Sequence, residues 1–107
     1  MKLIKTHAYG NDFLLVDDLE LRHVADRPAL TRRVCDRHRG LGADGLIAFS
    51  LSSDVHARMS LLNADGSYSE VSGNGVRCLG AWLALRSDMN VGAAIDVDTD
   101  AGTKRLE

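Results

Sequence analysis

The sequence predicts an α+β domain in which strands wrap one central buried helix. Three observations predict it. Val55, Ala57, Met59 and Leu61 alternate with His56, Arg58 and Ser60, the period of two that marks a half-buried strand. Two short apolar runs, FLLVD at 13–17 and LIAF at 46–49, are flanked by turn residues and read as strands. Beyond Arg77 the segment up to Arg86 is apolar on every side, through Val76, Cys78, Leu79, Ala81, Trp82, Leu83, Ala84 and Leu85. A helix that is apolar all round is normally buried all round.

In chain order, residues 2–6 alternate weakly and give a first strand, and Phe13 to Asp17 gives a second. Between them His7 to Asp12 is turn chemistry, because Gly10 and Asn11 tolerate positive φ and Asp12 can bond its own backbone. A helix begins near Pro28, which is preorganised for a first turn, with Asp26 or Arg27 ahead of it. Leu30 and Val34 stack on its apolar face, and Gly40 is its natural stop. Leu46 to Phe49 is a buried strand, and the alternating strand through Leu61 closes on the turn Asn63-Ala64-Asp65-Gly66. The central helix spans about Gly75 to Arg86. Ile95 and Val97 belong to a last strand, with Asp96 and Asp98 on its other face. The chain stops at Arg105-Leu106-Glu107 without a terminating signal, so residues 1–107 are expected to be one domain of a longer protein.

Composition bounds the function. A chain of 107 residues, 45% hydrophobic and 26% charged, is one globular domain that buries roughly two-thirds of its unfolded surface. A net charge of -2 excludes a general nucleic-acid binder, which needs a basic surface. Six arginines between Arg22 and Arg39 face only Asp26 and Asp36 and read as a solvated helix face. The N-terminus has no apolar core of signal-peptide length, and the longest apolar run, Leu79 to Leu85, is too short to span a bilayer. Cys35 and Cys78 are the only cysteines. With no secretory signal they fit a reducing cytoplasm without a disulfide framework, and their spacing is not that of a zinc site.

Two stretches could carry chemistry. Gly40-Leu41-Gly42-Ala43-Asp44-Gly45 matches GxGxxG, and Asp65 lies twenty residues beyond its last glycine. That fingerprint must follow a strand and open a helix. Here it follows a helix and precedes a strand, which argues against a nucleotide. The second stretch runs from Asn63 to Ser67 and then from Glu70 to Cys78. Ser72-Gly73-Asn74-Gly75 sits at the start of the buried helix, where unpaired N–H groups and a positive partial charge suit a carboxylate. Two glycines let the backbone approach a ligand closely. The same field would favour a thiolate at residue 72, but that residue is a serine. Taken singly, Ser72 or Asn74 reads first as an N-cap and nothing more, and Asn63 to Gly66 as a plain turn.

Together the segments are less generic. Gly10-Asn11-Asp12-Phe13, then Cys35-Asp36-Arg37-His38 with Gly42-Ala43-Asp44-Gly45, then Asn63-Ala64-Asp65-Gly66-Ser67, then Gly73-Asn74-Gly75-Val76-Arg77-Cys78 come in the order and spacing of diaminopimelate epimerases. Thr99-Asp100-Ala101-Gly102 resembles a segment near the end of that family's first domain. The resemblance covers essentially the whole chain and identifies it as the N-terminal half. It implies two similar halves, each a barrel or roll of mixed, mainly antiparallel strands around a central helix, with the active site between them; the C-terminal domain is expected to be absent from this sequence. It implies inversion of one α-carbon, LL- to meso-diaminopimelate, in lysine and peptidoglycan-precursor biosynthesis, with no cofactor and no metal.

Inverting a stereocentre by proton exchange needs a base on one face and an acid on the other. The family uses two cysteines, one from each half, and fixed donors for the developing charge. The resemblance puts substrate contacts at Asn11, Asn63, Gly73 and Asn74, and the catalytic position at Ser72. A serine hydroxyl is far less acidic than a thiol, so this half lacks its base and the chain by itself is expected to be inactive. Cys78 matches a family cysteine inside the helix and reads as a buried structural thiol, as does Cys35. His38 matches a structural position and reads as a helix-end or loop anchor rather than a base.

The implied partners are small-molecule diaminopimelate and the missing half, with no nucleic acid and no membrane; an isolated half would expose apolar surface and self-associate into a homo-oligomer. Two other readings stay open. One is a related isomerase of the proline racemase, hydroxyproline epimerase or phenazine-pathway type. The other is an inactive module that binds amino-acid carboxylates.

Overall fold

In the computed structural model the described residues are 1–8, 10–53, 56–70, 73–86, 95–99 and 102–106. They form β1 (Ile4–Ala8), β2 (Asn11–Asp17), α1 (Arg27–Cys35), β3 (Gly45–Ser53), β4 (His56–Asn63), β5 (Tyr68–Ser69), α2 (Gly73–Arg86), β6 (Ile95–Thr99) and β7 (Gly102–Leu106), with a 3-10 turn over Asp18–Leu21. One mixed sheet runs in the order β1-β2-β3-β4-β6-β7. β2 pairs with β3 and β4 with β6 in parallel; the other pairings are antiparallel. The outer edge of β4 is shared: His56 to Arg58 pair with β6, while Leu61 and Leu62 pair with β5.

The period of two explains the layers. Phe13, Leu15, Ile47, Phe49, Ala57, Met59, Leu61 and Val97 face one way and pack with Val76, Cys78, Leu79 and Leu83 of α2. Leu14, Val16, Leu46 and Ala48 face the other way and pack with Leu21, Leu30, Cys35 and Ala43. β2 and β3 are therefore buried on both faces, which is why their sequences are unbroken apolar runs. Helix α2 touches β1 and β2 at one end of the sheet and β7 at the other, so the sheet curls around it. Among the described residues no helix is long and apolar enough to cross a membrane.

Several boundaries differ from the sequence reading. The first strand is displaced to Ile4–Ala8, and Asn11 and Asp12 belong to β2 rather than to the turn, because the hairpin closes tightly with Gly10 at φ 87°. Helix α1 starts as expected, with the Asp26 side chain accepting from Ala29 N–H at 2.9 Å, but it ends at Cys35, short of Gly40. Its last carbonyls are capped by the following loop: Leu41 and Gly42 donate to Val34 O, and Ala43 donates to Cys35 O. The short β5 and the final β7 were not foreseen, and β6 is not the last strand. The expectation that α2 is buried on every side is corrected as well. Val76, Cys78, Leu79 and Leu83 are buried, whereas Ala81 is exposed and Trp82 half-buried. The curled sheet covers one side of the helix, and the Arg77–Ala81 stripe, four residues apart, lies outside it.

Leu79 is fully buried and Leu83 is 3% exposed. Leu79→Ala or Leu83→Ala should therefore cost about 2–5 kcal/mol by chemical denaturation, the range for truncated core leucines. Substitution of Ala81 by Lys should change stability by less than about 0.5 kcal/mol. Losses that small at Leu79 and Leu83 as well would place α2 on the surface.

Candidate functional site

The starts of the parallel strands β2 and β3 and the end of antiparallel β4 lie on one rim of the sheet. Phe13 pairs with Gly45, and Gly45 with Asn63. Gly45 is required there, since a Cβ would come within 2.7 Å of Leu62 O. Asn11 lies two residues before Phe13, and Asn63 two strand spacings across, about 10 Å.

Helix α2 enters from the same end. Cys78 shares a side-chain hydrogen bond with Thr6, whose strand partner is Phe13. Further along, the Trp82 ring lies 4.8 Å from that of Phe49, whose partner is Asp17. Gly73 and Asn74 precede Cys78 by four to five residues, about 6–7.5 Å of helix, or about two strand residues. The N-terminus of α2 therefore lies beyond the Phe13 row, toward the end of the sheet that carries Asn11. Gly73 and Asn74 form the first turn of α2, two residues earlier than expected, within the usual spread of helix boundaries. Ser72, the expected catalytic position, lies outside the described residues.

An ionic network holds this rim. Arg37 grips Asp12 with both terminal nitrogens, at 3.0 and 2.8 Å, and reaches Asp44 Oδ1 at 3.0 Å. Lys5 Nζ lies 3.6 Å from Asp12 Oδ2. Asp44 Oδ2 accepts from Asp12 N–H at 2.9 Å and from Asn11 Nδ2 at 3.4 Å. Asp44 N–H donates to Asp12 O at 2.9 Å, and Ala64 N–H donates to Asp44 O at 3.0 Å. The hydrogen bond from Arg37 holds the Asp12 carboxyl far below the usual carboxylate range, against a smaller opposing effect of burial, and Asp12 in turn raises Arg37.

Asn63 is exposed and its side chain is oriented by the turn. Its Nδ2 donates to Ser67 Oγ at 3.1 Å, and Ser67 Oγ donates to Asp65 Oδ1 at 2.6 Å, which lowers the pKa of Asp65. Gly66, at φ 89°, lets this turn close against α1: an added Cβ would meet Pro28 O at 2.9 Å.

Other expectations are placed by the same geometry. The N–H groups of residues 40 to 44 are all consumed by Asp36, Val34, Cys35 and Asp12 carbonyls. The GxGxxG stretch is thus a helix cap and strand entry, whose N–H groups from 40 to 44 are already engaged and not offered to a phosphate. His38 is exposed, and its backbone N–H, at 2.8 Å from Asp36 Oδ1, makes the loop anchor. Both cysteines are free and buried. Burial pushes the Cys35 thiol up to about 11, with nearby Asp12 adding to the effect, and burial also raises Cys78. Neither is poised as a base. Among the described residues no three His, Cys, Asp or Glu side chains form a metal-binding group.

The rim therefore offers carboxamide donors and acceptors beside a helix N-terminus. The sequence reading gave Asp12 only a turn role and gave Arg37 and Asp44 none. Their signal was an acid at the entry to each apolar run, with an arginine on the connection between them.

Comparison with known proteins follows this geometry. A family model described as diaminopimelate epimerase matches residues 3–107. A diaminopimelate epimerase from Natranaerobius thermophilus is 40% identical, covering 100% of this chain and 36% of that protein. Another from Moorella thermoacetica is 41% identical, covering 95% of this chain and 36% of that protein. The chain thus spans little more than a third of the length of these relatives. Among solved structures, a PhzF-family phenazine biosynthesis protein from Bacillus anthracis superposes with a TM-score of 0.65 at 21% identity, covering 100% of this chain and 36% of that one. A hydroxyproline epimerase from Agrobacterium vitis, with bound trans-4-hydroxy-L-proline, gives 0.66 at 16% identity, covering 96% and 35%. At those identities the likeness shows the fold.

Because the folded pKa of Asp12 is depressed, its contribution to stability is complete above the unfolded value of about 4 and is lost as pH falls toward the folded value. Arg37→Gln should therefore lower the urea midpoint at about pH 7, with the deficit shrinking on acidification below about pH 4. Carboxyl NMR should show Asp12 titrating at higher pH in the variant. A deficit of equal size at about pH 7 and about pH 2.5 would contradict the ion-pair account.

Proposed function

The chain belongs to the diaminopimelate epimerase family, and on that premise we propose that it supplies the N-terminal half of the active site of a cytoplasmic, cofactor-independent diaminopimelate epimerase. The observation that carries this reading is the match over residues 3–107, joined to a rim where Asn11, Asn63 and the N-terminus of α2 share one end of the sheet. In this reading residues 1–107 are the first of two domains. The second, from the remaining two-thirds of the relatives' length, closes the cleft.

The substrate is an amino acid, and its α-carboxylate suits the first-turn N–H groups of α2 at Gly73 and Asn74, which have no partner within the helix. Asn11 and Asn63 each carry an amino and a carbonyl end; with its amino end toward Asp44, Asn11 presents its carbonyl to accept from the ammonium. The α-proton is very weakly acidic, so fixed donors in a water-poor cleft must stabilise the developing charge. Proton transfer on this half's face falls to residue 72. A serine there leaves the two-base mechanism short of one base.

The same substitution favours a second reading, in which the domain binds amino-acid carboxylates without turnover. Calorimetry with diaminopimelate beside an α-deuterium exchange assay, both on a protein completed with a second half and carrying Ser72→Cys, separates the two: binding without exchange there is the module.

Ser72→Cys tests the mechanism. At the mouth of α2 a thiol should have a pKa below the reference of about 8.5. It should alkylate faster near neutral pH than Cys35 or Cys78, which are buried. In a protein completed with a second half, the change should restore or greatly raise epimerisation. A thiol at residue 72 no more reactive than an unperturbed one would deny the helix-mouth placement, and full activity of the completed serine form would assign the base elsewhere.

A further inference from the structure

We propose that Asp44 is the positioning residue of this half-site, coupling Asn11 and the Asn63 turn into one unit. The proposal deepens the reading above and rests on it, since it takes those asparagines as the substrate contacts. Asp44 immediately precedes β3 and stands between the two segments. Its main chain joins both, donating to Asp12 O at 2.9 Å and accepting from Ala64 N–H at 3.0 Å. Its carboxylate then acts on Asn11 directly: one oxygen accepts from Asp12 N–H at 2.9 Å and Asn11 Nδ2 at 3.4 Å, and the other accepts from Arg37 at 3.0 Å.

The chemistry of the pair fixes an orientation. An ionised carboxylate only accepts hydrogen bonds, so the amino end of the Asn11 carboxamide must face Asp44 and its carbonyl end must face away. A freely rotating asparagine would present donor and acceptor ends about equally, and a ligand would have to order it on binding. Charge is settled as well. Arg37 and Lys5 lie on the two carboxylates, Asp12 and Asp44. The acid that orients Asn11 therefore carries little net field to repel a substrate carboxylate. The bonds to Asp12 and Arg37 are enough to hold the strand entries; the side-chain bond to Asn11 is what a merely structural Asp44 would not need.

The test is a double-mutant cycle on residues 1–107, with Asp44→Ala and Asp44→Asn made in the parent and in an Asn11→Ala background. The readouts are diaminopimelate affinity by calorimetry and the two Nδ2 proton signals of Asn11 by NMR. Asp44→Ala should weaken binding about tenfold in the parent, as for a lost positioning hydrogen bond. It should change affinity less than about twofold once Asn11 is alanine. Asp44→Asn keeps a carbonyl acceptor for Asn11 and should recover to within about threefold of the parent. The separation of the Asn11 Nδ2 protons should collapse toward that of a free carboxamide in Asp44→Ala and persist in Asp44→Asn. An equal loss in both backgrounds would reduce Asp44 to a strand anchor and overturn the proposal. So would Asn11 signals that ignore Asp44→Ala. If the parent chain binds no diaminopimelate, the functional reading fails, and the Asn11 signals still decide the role of Asp44.

Discussion

The reciprocal grip of Asp12 and Asp44 is the constraint on which the rest of this rim depends. β2 and β3 are parallel, so no hairpin sets their register; the connection between them runs through α1 and a loop of consecutive turns. Parallel strands pair through slanted bonds and need such a crossover. Here the entry of each strand is fixed by the other: Asp44 N–H donates to Asp12 O, and Asp12 N–H donates to the Asp44 carboxylate. Arg37, on the loop between them, closes the junction by holding both acids. A slip of one residue would turn every side chain of β2 to the opposite face, exchanging Phe13 and Leu15 with Leu14 and Val16 between the two cores.

That junction links stability to the site. The alternation it fixes sends one set of apolar residues to α2 and the other to α1. Because the α2 face is filled by Phe13, Ile47 and Leu61 packed with Val76 and Leu79, the helix has one place to lie, and its first turn is directed toward the Asn11 end of the sheet. The donors at that end of the helix are thus aimed by core packing, while the Asn11 carboxamide is aimed by the ionic rim and that of Asn63 by its own turn. The two means differ in kind: packing sets where the helix lies, and hydrogen bonds set which way a side chain points.

Much of the fold was legible because its strands carry plain signals. FLLVD and LIAF are apolar on consecutive residues because both faces of β2 and β3 are covered, and Ala57, Met59 and Leu61 alternate because their strand has a more polar outer face. The helix ends were harder to read. Gly40 looked like the stop of α1, but the true end is set by Leu41, Gly42 and Ala43 folding back to cap Val34 and Cys35, a tertiary arrangement no local pattern records. The exposure of Ala81 was illegible for a similar reason: apolar composition states what a helix tolerates, not how far a sheet reaches around it. At the site, Asn11 and Asn63 stood out through their motifs. Asp44 did not, because its importance lies in bonds to residues more than thirty positions away.

The central claim is that Asn11, Asn63 and the first turn of α2 form one surface for an amino acid. A titration of the isotope-labelled chain with meso-diaminopimelate, followed by amide NMR, tests it most directly. The account predicts the largest shifts at the side-chain amides of Asn11 and Asn63 and the backbone amides of Gly73 and Asn74. An alternative hollow of about 240 Å³ lies at the far end of α2, lined by Ile4, Leu15, Phe49 and Trp82. Shifts centred on the Trp82 indole and Ile4, with the rim unchanged, would contradict the account.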